Sequence, residues 1–578
     1  MLGRTSFPPI GELPYLLTLT SYGFYWFRLA SDAEVPVWHQ EYVALTDRPT
    51  LVLFDGWTSF FRECVMPWRM GLSERMRTQF ETDTLPRYIE LQRWYASKGV
   101  AIERARLLDH AIWQAGEFSW LLPLVGLDGP AEESIYFMPL ALAWEDHDEE
   151  RANSIAPAAL ARVRQQANVG VMGDAFYDEA FCRAVVLAVG ANQEIATAAG
   201  RLKFSPTALF GRMSANIAAL PVSRPSVTSS NTVVMLGETL MLKGYRRLRE
   251  GLNPELEMGR HLTEVVKYPN CVPVLGALEY FGSDGRVVTL ALVQTYVENQ
   301  GDGWDYTLRY LERFLSEQRT GTDPLPTVLE AHGGFMTLMG MLGQRTAELH
   351  RALARPTGNA AFDPEPLTAS DITHYRQRAA SEADFSLKLL RERMSQLPPA
   401  AQVDALALLA RGNALQSRIA GTPVQAHTGL KCRYHGDYHL GQVLVTGHDF
   451  VIIDFEGEPA RSFDERRTKS SPLRDVAGML RSFNYARWSA LRRVAQGAQE
   501  IARLEPAVRA WESAAREAFL TAYVNTTAPA LALDAELLDL FELEKALYEL
   551  RYEINNRADW IQVPLQGVLA LVESGLAR

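Results

Sequence analysis

Apolar residues recur three and four positions apart between about residues 59 and 118, in segments such as FFRECVMPWRM and LPRYIELQRWYASKG. This spacing is typical of helices. The segments WLLPLVGL and ESIYFMPLALAWE that follow alternate in the manner of strands, and the pattern from about 157 to 220 favours helices again. The sequence therefore predicts a mostly helical first third with a few strands in its middle.

The opening segment YLLTLTSYGFYWFRL, residues 15–29, combines β-branched and aromatic side chains. It predicts two strands around a turn at Ser21 to Gly23. A single hairpin this apolar is not stable in water by itself. We therefore expect these residues to be the closing strands of some other domain.

A polar, proline-punctuated break at residues 221–230 introduces a different pattern. The segments NTVVMLG and ETLMLKGYRRL predict a hairpin that turns at Gly237 and Glu238. Asn253 is a candidate N-cap of the following helix, with Pro254 at its first position. Strands are expected at 272–281 and 287–297. The rest of the chain has mainly helical periodicity, up to about residue 430 and again from about 473.

A short β island, CRYHGDYHLGQVLVTGHDFVIIDFEGEP (432–459), interrupts those helices. It predicts a loop and two strands joined at Gly447 to Asp449, a hairpin that brings Asp437 and Asp454 together. Two neighbouring carboxylates stay ionised mainly when a cation lies between them. Mg²⁺ prefers oxygen ligands and is commonly held by one or two carboxylates plus phosphates. Gln442, with its amide oxygen, is a candidate further ligand.

Composition narrows the class of protein. The 578 residues exceed one ordinary domain, and a formal charge of −11 without a long Lys/Arg cluster argues against a nucleic-acid partner. The four cysteines lack metal-site spacing, which argues against structural zinc and favours a reducing compartment. The chain shows no secretory signal and no apolar run long enough to cross a membrane. We expect a cytoplasmic protein of several domains.

Other interpretations of these residues stay open at this point. An isolated His-x-Asp-x-His triplet is often a hydrogen-bonded turn, and a zinc site at His435, Asp437 and His439 would lack a third ligand at recognisable spacing. The basic residues after the island could meet phosphate or pair with Asp464 and Glu465. These basic residues are Arg461, Arg466, Arg467 and Lys469.

The segments HGDYHLGQ and DFEG have the layout of a kinase catalytic loop and metal-binding turn. This variant resembles the aminoglycoside-phosphotransferase branch of the kinase fold. Within it, four segments in order resemble maltokinases: SNTVVMLGETLMLKGYRRLREGLNPELEMGRHLTE, CRYHGDYHLGQVL, DFEGEPARSFDERRTKSSPLRDVAGMLRSFNYA and EKALYELRYEINNRADWIQVPL. The resemblance covers about residues 85–578. The opening FPPIGELPYLLTLTSYGFYWFRL is similar to the end of trehalose synthase, which would explain the isolated hairpin.

The resemblance implies an α+β, bilobal, protein-kinase-like fold with an extra N-terminal cap domain and a mostly helical C-terminal lobe. It divides the chain into residues 1–58, a remnant of trehalose synthase plus linker; 59–200, the cap; 201–298, the N-terminal lobe; and 299–578, the C-terminal lobe.

The resemblance also implies roles for individual residues. Asp437 would be the catalytic base, Gln442 and Asp454 the Mg²⁺ ligands, and His435 a structural brace of the loop. Lys243 would anchor the ATP phosphates with Glu257 as its orienting partner. The remaining candidate ATP contacts are Ser230, Asn231 and Thr232, in place of a glycine-rich loop, and Gln294 and Tyr296 in the segment VQTYVE between the lobes.

Candidate sugar contacts come from the catalytic region and the C-terminal helix, where Lys545, Tyr548 and Tyr552 share a face at helical spacing. Aromatic residues at such spacing are also common in cores. The full set of candidate sugar contacts is His439, Glu456, Lys545, Tyr548, Tyr552 and Trp560.

The resemblance implies transfer of the ATP γ-phosphoryl group to the anomeric C1 hydroxyl of maltose, giving maltose 1-phosphate and ADP on a route from trehalose to glycogen. ATP and maltose would then be the ligands, and a trehalose synthase, fused or separate, a possible partner. The alternatives are a kinase for another sugar, an aminoglycoside or choline, and a module without catalytic activity that regulates trehalose synthase.

Overall fold

The computed structural model describes residues 48–129, 134–213, 216–225, 231–320, 328–424, 429–459, 461–527, 531–557 and 560–576. The hairpin predicted at residues 15–29 and Ser230 lie outside these ranges. The described residues form two compact units. The first comprises those up to Ser205, then 216–248 and Leu278–Arg286; the second comprises Pro206–Met213, Arg249–Ala277 and those from Val287 onward.

The first unit is built on an eight-stranded sheet with the order β1-β6-β7-β5-β3-β4-β13, in which β2 pairs with β3. Its strands are β1 (Thr50–Val52), β2 (Arg104–Ala115), β3 (Phe118–Asp128), β4 (Ser134–Phe137), β5 (Leu140–Trp144), β6 (Ala159–Gln165), β7 (Asn168–Asp174) and β13 (Arg247–Leu248). β1 runs parallel to β6, and the other printed pairings of this sheet are antiparallel.

The helices of this unit pack around the sheet. They are α1 (Met70–Gln79), α2 (Leu85–Leu91), α3 (Glu149–Ile155) and α4 (Glu179–Gly190). Further strands of the first unit are β8 (Glu194–Ala196), β9 (Gly200–Pro206, whose last residue is assigned to the second unit), β10 (Val222–Ser223), β11 (Thr232–Leu236) and β12 (Leu240–Gly244). β11 and β12 form the predicted hairpin around Gly237. The φ of this residue is +58°, a backbone conformation that favours glycine.

Two of the predicted helical stretches are wrong. Residues 104–115 form β2, in which nearly every second residue is buried, so the period is two. Among the residues described between about 157 and 220, only those of α4 form an α-helix, and the others include short 3₁₀ turns and the strands β6 to β9. The alanine-rich segment ALARVRQ has good helix formers but pairs with β7, so long-range pairing overrides local propensity.

The second unit is mostly helical. Helix α5 (Pro254–Arg260) begins at the predicted N-cap Asn253, whose side chain accepts hydrogen bonds from the N–H groups of Glu255 and Leu256. The other helices are α6 (Gly303–Thr320), α7 (Val328–Leu353), α8 (Ala369–Arg393), α9 (Pro399–Ala410), α10 (Gly412–Gly421), α11 (Phe463–Arg467), α12 (Leu473–Val494), α13 (Ala498–Thr527), α14 (Ala535–Asn556) and α15 (Gln562–Leu576). They enclose a core of Leu, Val, Phe, Ala and Tyr side chains.

Four short strands interrupt these helices: β16 (Glu365–Pro366), β17 (Leu430–Lys431), β18 (Val443–Thr446) and β19 (Asp449–Ile452). β18 and β19 form the hairpin predicted in the β island, with Thr446 paired to Asp449 across the turn. The strands expected near 272 and 287 are β14 (Val274–Gly282), which begins in the second unit and ends in the first, and β15 (Val287–Thr295). None of the helices in the described ranges could span a bilayer.

Candidate active site

The loop that carries Asp437 is held from behind by a buried carboxylate. Asp475, in the first turn of α12 and 2 % exposed, accepts hydrogen bonds from the backbone N–H groups of His435 (2.8 Å) and Gly436 (2.9 Å). His350, which is fully buried, contacts the same carboxylate at 3.1 Å. Gly436 has φ +87°, a conformation that a side chain would strain. These contacts fix the direction in which Asp437 leaves the loop.

His435 links this loop to the turn that follows β19. Its Nε2 lies 2.8 Å from the carbonyl oxygen of Ile453, and its Nδ1 accepts from the N–H of Asp437 at 3.3 Å. The ring therefore joins the residue before Asp454 to Asp437 itself. This is the bracing position expected of His435.

Asp454 lies at the end of the hairpin in a strained conformation. Its φ of +61° is rare for a residue other than glycine, and such strain is found mostly at functional positions. The amide nitrogen of Gln442 donates to Asp454 Oδ2 at 3.3 Å, and the backbone N–H of Ile453 donates to the Gln442 carbonyl at 3.0 Å. The hairpin thus brings Gln442 and Asp454 together, as its length predicts.

Asp454 belongs to a group of three carboxylates, with Glu255 from α5 and Glu456. One oxygen of each lies within 4.8 Å of the others, and Glu255 is only 3 % exposed. Like charges at this spacing oppose ionisation unless a cation joins them. The donor set consists of hard oxygens and fits Mg²⁺. Glu456, a candidate sugar contact in the sequence, therefore belongs to this carboxylate group.

Glu257 and Glu255 on helix α5 have different partners, and the expected pairing of Glu257 with Lys243 stays a prediction. Both oxygens of Glu257 accept hydrogen bonds from arginines, Arg433 Nη1 at 2.7 Å and Arg467 Nε and Nη2 at 2.9 and 3.0 Å. Burial acts to raise the pKa of Glu257, but these two arginines outweigh it and hold the pKa below its usual value. Glu257 is therefore engaged by arginines, and Glu255 is the α5 carboxylate that joins Asp454.

Asp437 borders a cavity of about 280 Å³ in the second unit. Lys545 on α14 reaches within 3.6 Å of Asp437 Oδ1, and its Nζ lies 5.1 Å from the centre of the Tyr548 ring. Burial acts to lower the pKa of Lys545, but nearby negative charges, first that of Asp437 and next those of Glu458 and Glu549, together outweigh it and raise the pKa. Burial and Glu458 raise the pKa of Tyr548 to about 12. Both side chains are among the predicted sugar contacts.

The other charged side chains of the cavity wall are already paired. Arg378 and Arg474 bind Glu544 at 2.9 and 3.1 Å; Arg461 binds Glu458 at 2.6 Å, and Arg551 binds Glu382 at 2.6 Å. The lining contains five cationic and five acidic side chains, so its formal charge is zero. The cations are Arg378, Arg461, Arg474, Lys545 and Arg551, and the acids are Glu382, Asp437, Glu458, Asp475 and Glu544.

Four predicted sugar contacts do not line this cavity: Glu456, which belongs to the carboxylate group, and Tyr552, Trp560 and His439. Tyr552 is 46 % exposed and lies beside Arg557, and Trp560 lies near the same arginine. His439 caps the short turn at residues 440–442 by accepting from the N–H of Gly441 at 3.1 Å, and burial lowers its pKa. Tyr552 continues the face of Lys545 and Tyr548 by one turn, but its side chain does not line the cavity, whereas that of the neighbouring Arg551 does.

The predicted nucleotide contacts are divided between the units. Lys243 is a buried residue of β12, and Asn231 and Thr232 lie at the start of β11, where Thr232 Oγ1 accepts from Arg246 Nε at 2.7 Å. These belong to the first unit. Gln294 is buried near the end of β15, and Tyr296 follows that strand, both in the second unit. Their roles in nucleotide binding stay predictions.

Sequence reasoning missed Asp475, His350 and most of the cavity wall. Asp475 carries a usable signal, because an acidic residue opens a helix whose other residues are largely buried. No such sequence signal marks the cavity residues Arg378, Glu382 and Arg551, because charged residues on helices usually face solvent.

The sequence and fold of this chain are similar to those of known proteins. Residues 88–178 match the family described as the maltokinase N-terminal cap domain. The chain is 26% identical to a glucosamine kinase of Streptacidiphilus jiangxiensis over 392 residues, 65% of this chain and 79% of that protein. A stretch of 29 residues, 5% of each chain, is 66% identical to trehalose synthase of Pimelobacter sp. strain R48.

Among solved structures, a glucosamine kinase in complex with glucosamine, ADP and inorganic phosphate superimposes with a TM-score of 0.56 at 21% identity, covering 85% of this chain and 99% of that one. The predicted fold class is confirmed: the chain has the kinase-like fold of that enzyme, a maltokinase-type cap domain and a mostly helical C-terminal part. The resemblance to maltokinases is confirmed, as is the short N-terminal stretch similar to trehalose synthase.

Proposed function

We propose that this protein is a sugar kinase that transfers the γ-phosphoryl group of ATP to the anomeric C1 hydroxyl of maltose, giving maltose 1-phosphate and ADP. The glucosamine kinase relatives and the cap domain support the coarser statement that it phosphorylates a sugar. The observation that carries the proposal is the position of Asp437, which borders a cavity with a charge-balanced wall and lies in the loop that His435 ties to Asp454.

In the proposed reaction the C1 oxygen of the sugar attacks the γ-phosphorus, the bond from that phosphorus to the bridging oxygen of ADP breaks, and Asp437 takes the hydroxyl proton. Such transfer depends mainly on positioning and charge neutralisation, since the charge spreads over phosphoryl oxygens. Lys545, whose Nζ lies 3.6 Å from Asp437 Oδ1, orients this carboxylate.

Asp454, Glu255 and Glu456, with Gln442 beside them, are the residues that would hold Mg²⁺. When bound, the ion neutralises nucleotide phosphate oxygens. Lys243 is the proposed phosphate anchor. Asn231, Thr232, Gln294 and Tyr296 stay candidate nucleotide contacts.

The balanced charge of the cavity favours a neutral acceptor. A site for an aminoglycoside, which carries several positive charges, would be expected to present an excess of carboxylates. Four of the five acids of this cavity are instead paired with arginines or Lys545, and Asp475 is bound by His350 and backbone N–H groups. Paired charges still offer hydrogen-bond donors and acceptors to sugar hydroxyls.

Glucosamine is the second candidate acceptor, because two relatives that match more than 60% of this chain are glucosamine kinases. The maltokinase-type cap and the stretch similar to trehalose synthase, an enzyme that makes maltose, favour maltose. A regulatory module without activity is disfavoured, since Asp437, Gln442, Asp454 and Lys243 are all present.

The proposal extends to the organisation of the protein. We assign residues 1–58 to a trehalose synthase remnant and linker, 59–200 to the cap, 201–298 to the N-terminal lobe and 299–578 to the C-terminal lobe. A cytoplasmic location, a place between trehalose and glycogen, and trehalose synthase as a partner belong to the same proposal.

Phosphorus NMR of the product formed from ATP, Mg²⁺ and maltose tests the proposal. A phosphate resonance coupled to the anomeric proton, formed together with ADP, would support it. Parallel reactions with glucosamine, glucose and an aminoglycoside compare the acceptors. If ADP release depends on glucosamine and not on maltose, the assignment of maltose is wrong, and if no acceptor stimulates it, the kinase assignment is wrong.

A further inference from the structure

Helix α5 is joined to two other segments of the second unit through a single carboxylate, Glu257. Arg433 and Arg467 together donate three hydrogen bonds to its two oxygens, at 2.7, 2.9 and 3.0 Å. The Glu257 side chain is only 10 % exposed, so water screens these interactions little. We call Glu257, Arg433 and Arg467 the arginine clamp.

The three members of the arginine clamp lie close in sequence to the residues of the proposed active site. Glu257 is two residues after Glu255, which belongs to the carboxylate group with Asp454. Arg433 is four residues before Asp437. Arg467 ends α11, in the segment that follows Asp454 and Glu456. The clamp therefore joins the helix, the catalytic loop and the chain beyond the metal residues.

Arg433 makes the clamp specific. Its side chain is almost fully buried, and its guanidinium lies 4.8 Å from the centre of the Phe362 ring. Phe362 in turn stacks on His261, which follows α5, with ring centres 3.7 Å apart. A buried guanidinium that loses its carboxylate is costly, because the charge stays in a poorly solvated site. Arg433 therefore favours the position of α5 in which Glu257 contacts its guanidinium group.

We infer that Glu257 is a positioning residue, which holds α5 through Arg433 and Arg467 so that Glu255 stays beside Asp454 and Glu456. The inference rests on the proposed function, because it gives Glu255 a role in binding the metal and nucleotide. Without the clamp, α5 can shift relative to the turn at Asp454. Residues that orient metal ligands typically contribute about 10- to 100-fold to metal affinity or activity.

The test is calorimetric titration of the full-length protein with ADP, once with saturating Mg²⁺ and once with EDTA. Glu257→Gln keeps the shape of the side chain but removes its charge. The matched control is Glu542→Gln, which breaks a bidentate pair with Arg516 (2.7 and 2.9 Å) between α13 and α14, whose members have similar exposure to Glu257 and Arg467.

We expect Glu257→Gln to weaken ADP binding about tenfold with Mg²⁺ and less than about twofold with EDTA, as for a group that orients metal ligands. Glu542→Gln should change neither value, although it lowers the melting temperature. If Glu257→Gln does not yield folded protein, Arg467→Gln, which replaces the more exposed arginine, should show the same Mg²⁺-specific loss.

Equal behaviour of Glu257→Gln and Glu542→Gln in both titrations would overturn the inference and leave the proposed function intact. An equal loss in EDTA would also overturn it, because the effect would then not involve the metal residues. If the wild-type protein binds ADP equally with and without Mg²⁺, the proposed function and this inference both fail.

Discussion

The carboxylate group at Glu255, Asp454 and Glu456 and the cavity beside Asp437 organise charge in opposite ways. The first collects three acidic side chains whose oxygens lie within 4.8 Å of one another. The second lines its wall with five acids and five bases, most of them joined in ion pairs. A region that concentrates negative charge suits a cation with phosphates, and a region that cancels its charge suits a neutral, hydroxyl-rich acceptor.

Asp437 borders the cavity, and His435 ties its loop to Ile453, the residue before Asp454, so its replacement should have the largest effect. Asp437→Asn removes the proton acceptor but keeps the shape, so kcat should fall about 10²- to 10⁴-fold, the usual contribution of a general base. Affinity for ADP should change little. Steady-state kinetics and nucleotide titration of the same preparation measure both quantities, and a kcat near that of the wild type would refute the role of Asp437.

Asp454→Ala tests the acidic side of the comparison. Loss of this carboxylate should weaken Mg²⁺-dependent ADP binding about 100-fold, the upper end for groups around a metal site. Binding in EDTA should be nearly unchanged.

The control is Asp464→Ala, since Asp464 has an almost fully exposed side chain on α11. Isothermal calorimetry with and without the ion distinguishes the two variants. Equal affinities of Asp454→Ala and the wild type in Mg²⁺ would show that the carboxylate group does not bind the metal.

Of the carboxylate group, the sequence predicted Asp454 as a metal ligand but not Glu255 or Glu456, and it predicted little of the cavity wall. Gln442 and Asp454 flank the β18–β19 hairpin, so local strand pairing alone brings them together. Which carboxylate of α5 joins Asp454 cannot be read from the helix itself. Glu257 binds Arg433 and Arg467, more than 170 residues away in sequence, and such long-range pairing leaves no local signal.

The cavity wall combines α8, the loop after β19, α12 and α14, whose residues are far apart in sequence. Lys545 and Tyr548 were found because a family resemblance pointed to α14. Tyr552 shares their helical face but lies beyond the cavity, since helical spacing shows which residues share a face and not where a cavity ends. The strand β2 was missed for a related reason: its period was obscured by apolar residues on both faces.

The neutrality of the cavity can itself be changed by one residue. Arg551→Ala leaves Glu382 without this partner and gives the wall a formal charge of −1. The kcat/KM for a protonated amino sugar should then rise relative to that for maltose. We expect kcat/KM for maltose to fall about tenfold, as for a lost charge-assisted hydrogen bond, and the ratio of glucosamine to maltose activity to rise.

Glu382→Gln makes the opposite change and should lower that ratio. Arg418→Ala is the control, because Arg418 pairs with Asp539 at 3.2 Å and does not line the cavity. Competition assays with both sugars measure the ratio directly. If the ratio of glucosamine to maltose activity is unchanged in both Arg551→Ala and Glu382→Gln, the charge of the cavity wall does not determine the choice of acceptor.

The smallest expected effect concerns pH and His261, the residue that follows α5. Burial, and next the positive charge of Arg433, lower the pKa of His261 to about 4. The unfolded chain binds a proton on this histidine below about pH 6.5, whereas the folded chain does so only near pH 4, so stability falls as the pH drops through this window.

His261→Gln removes this proton linkage. The apparent melting temperature of wild type should therefore decrease more between pH 7 and 5 than that of His261→Gln, measured by calorimetry in matched buffers. An equal decrease of the melting temperature in the two proteins would mean that the pKa of His261 is not lowered. The negative charge of Glu257 would then offset the effect of Arg433 on the imidazole.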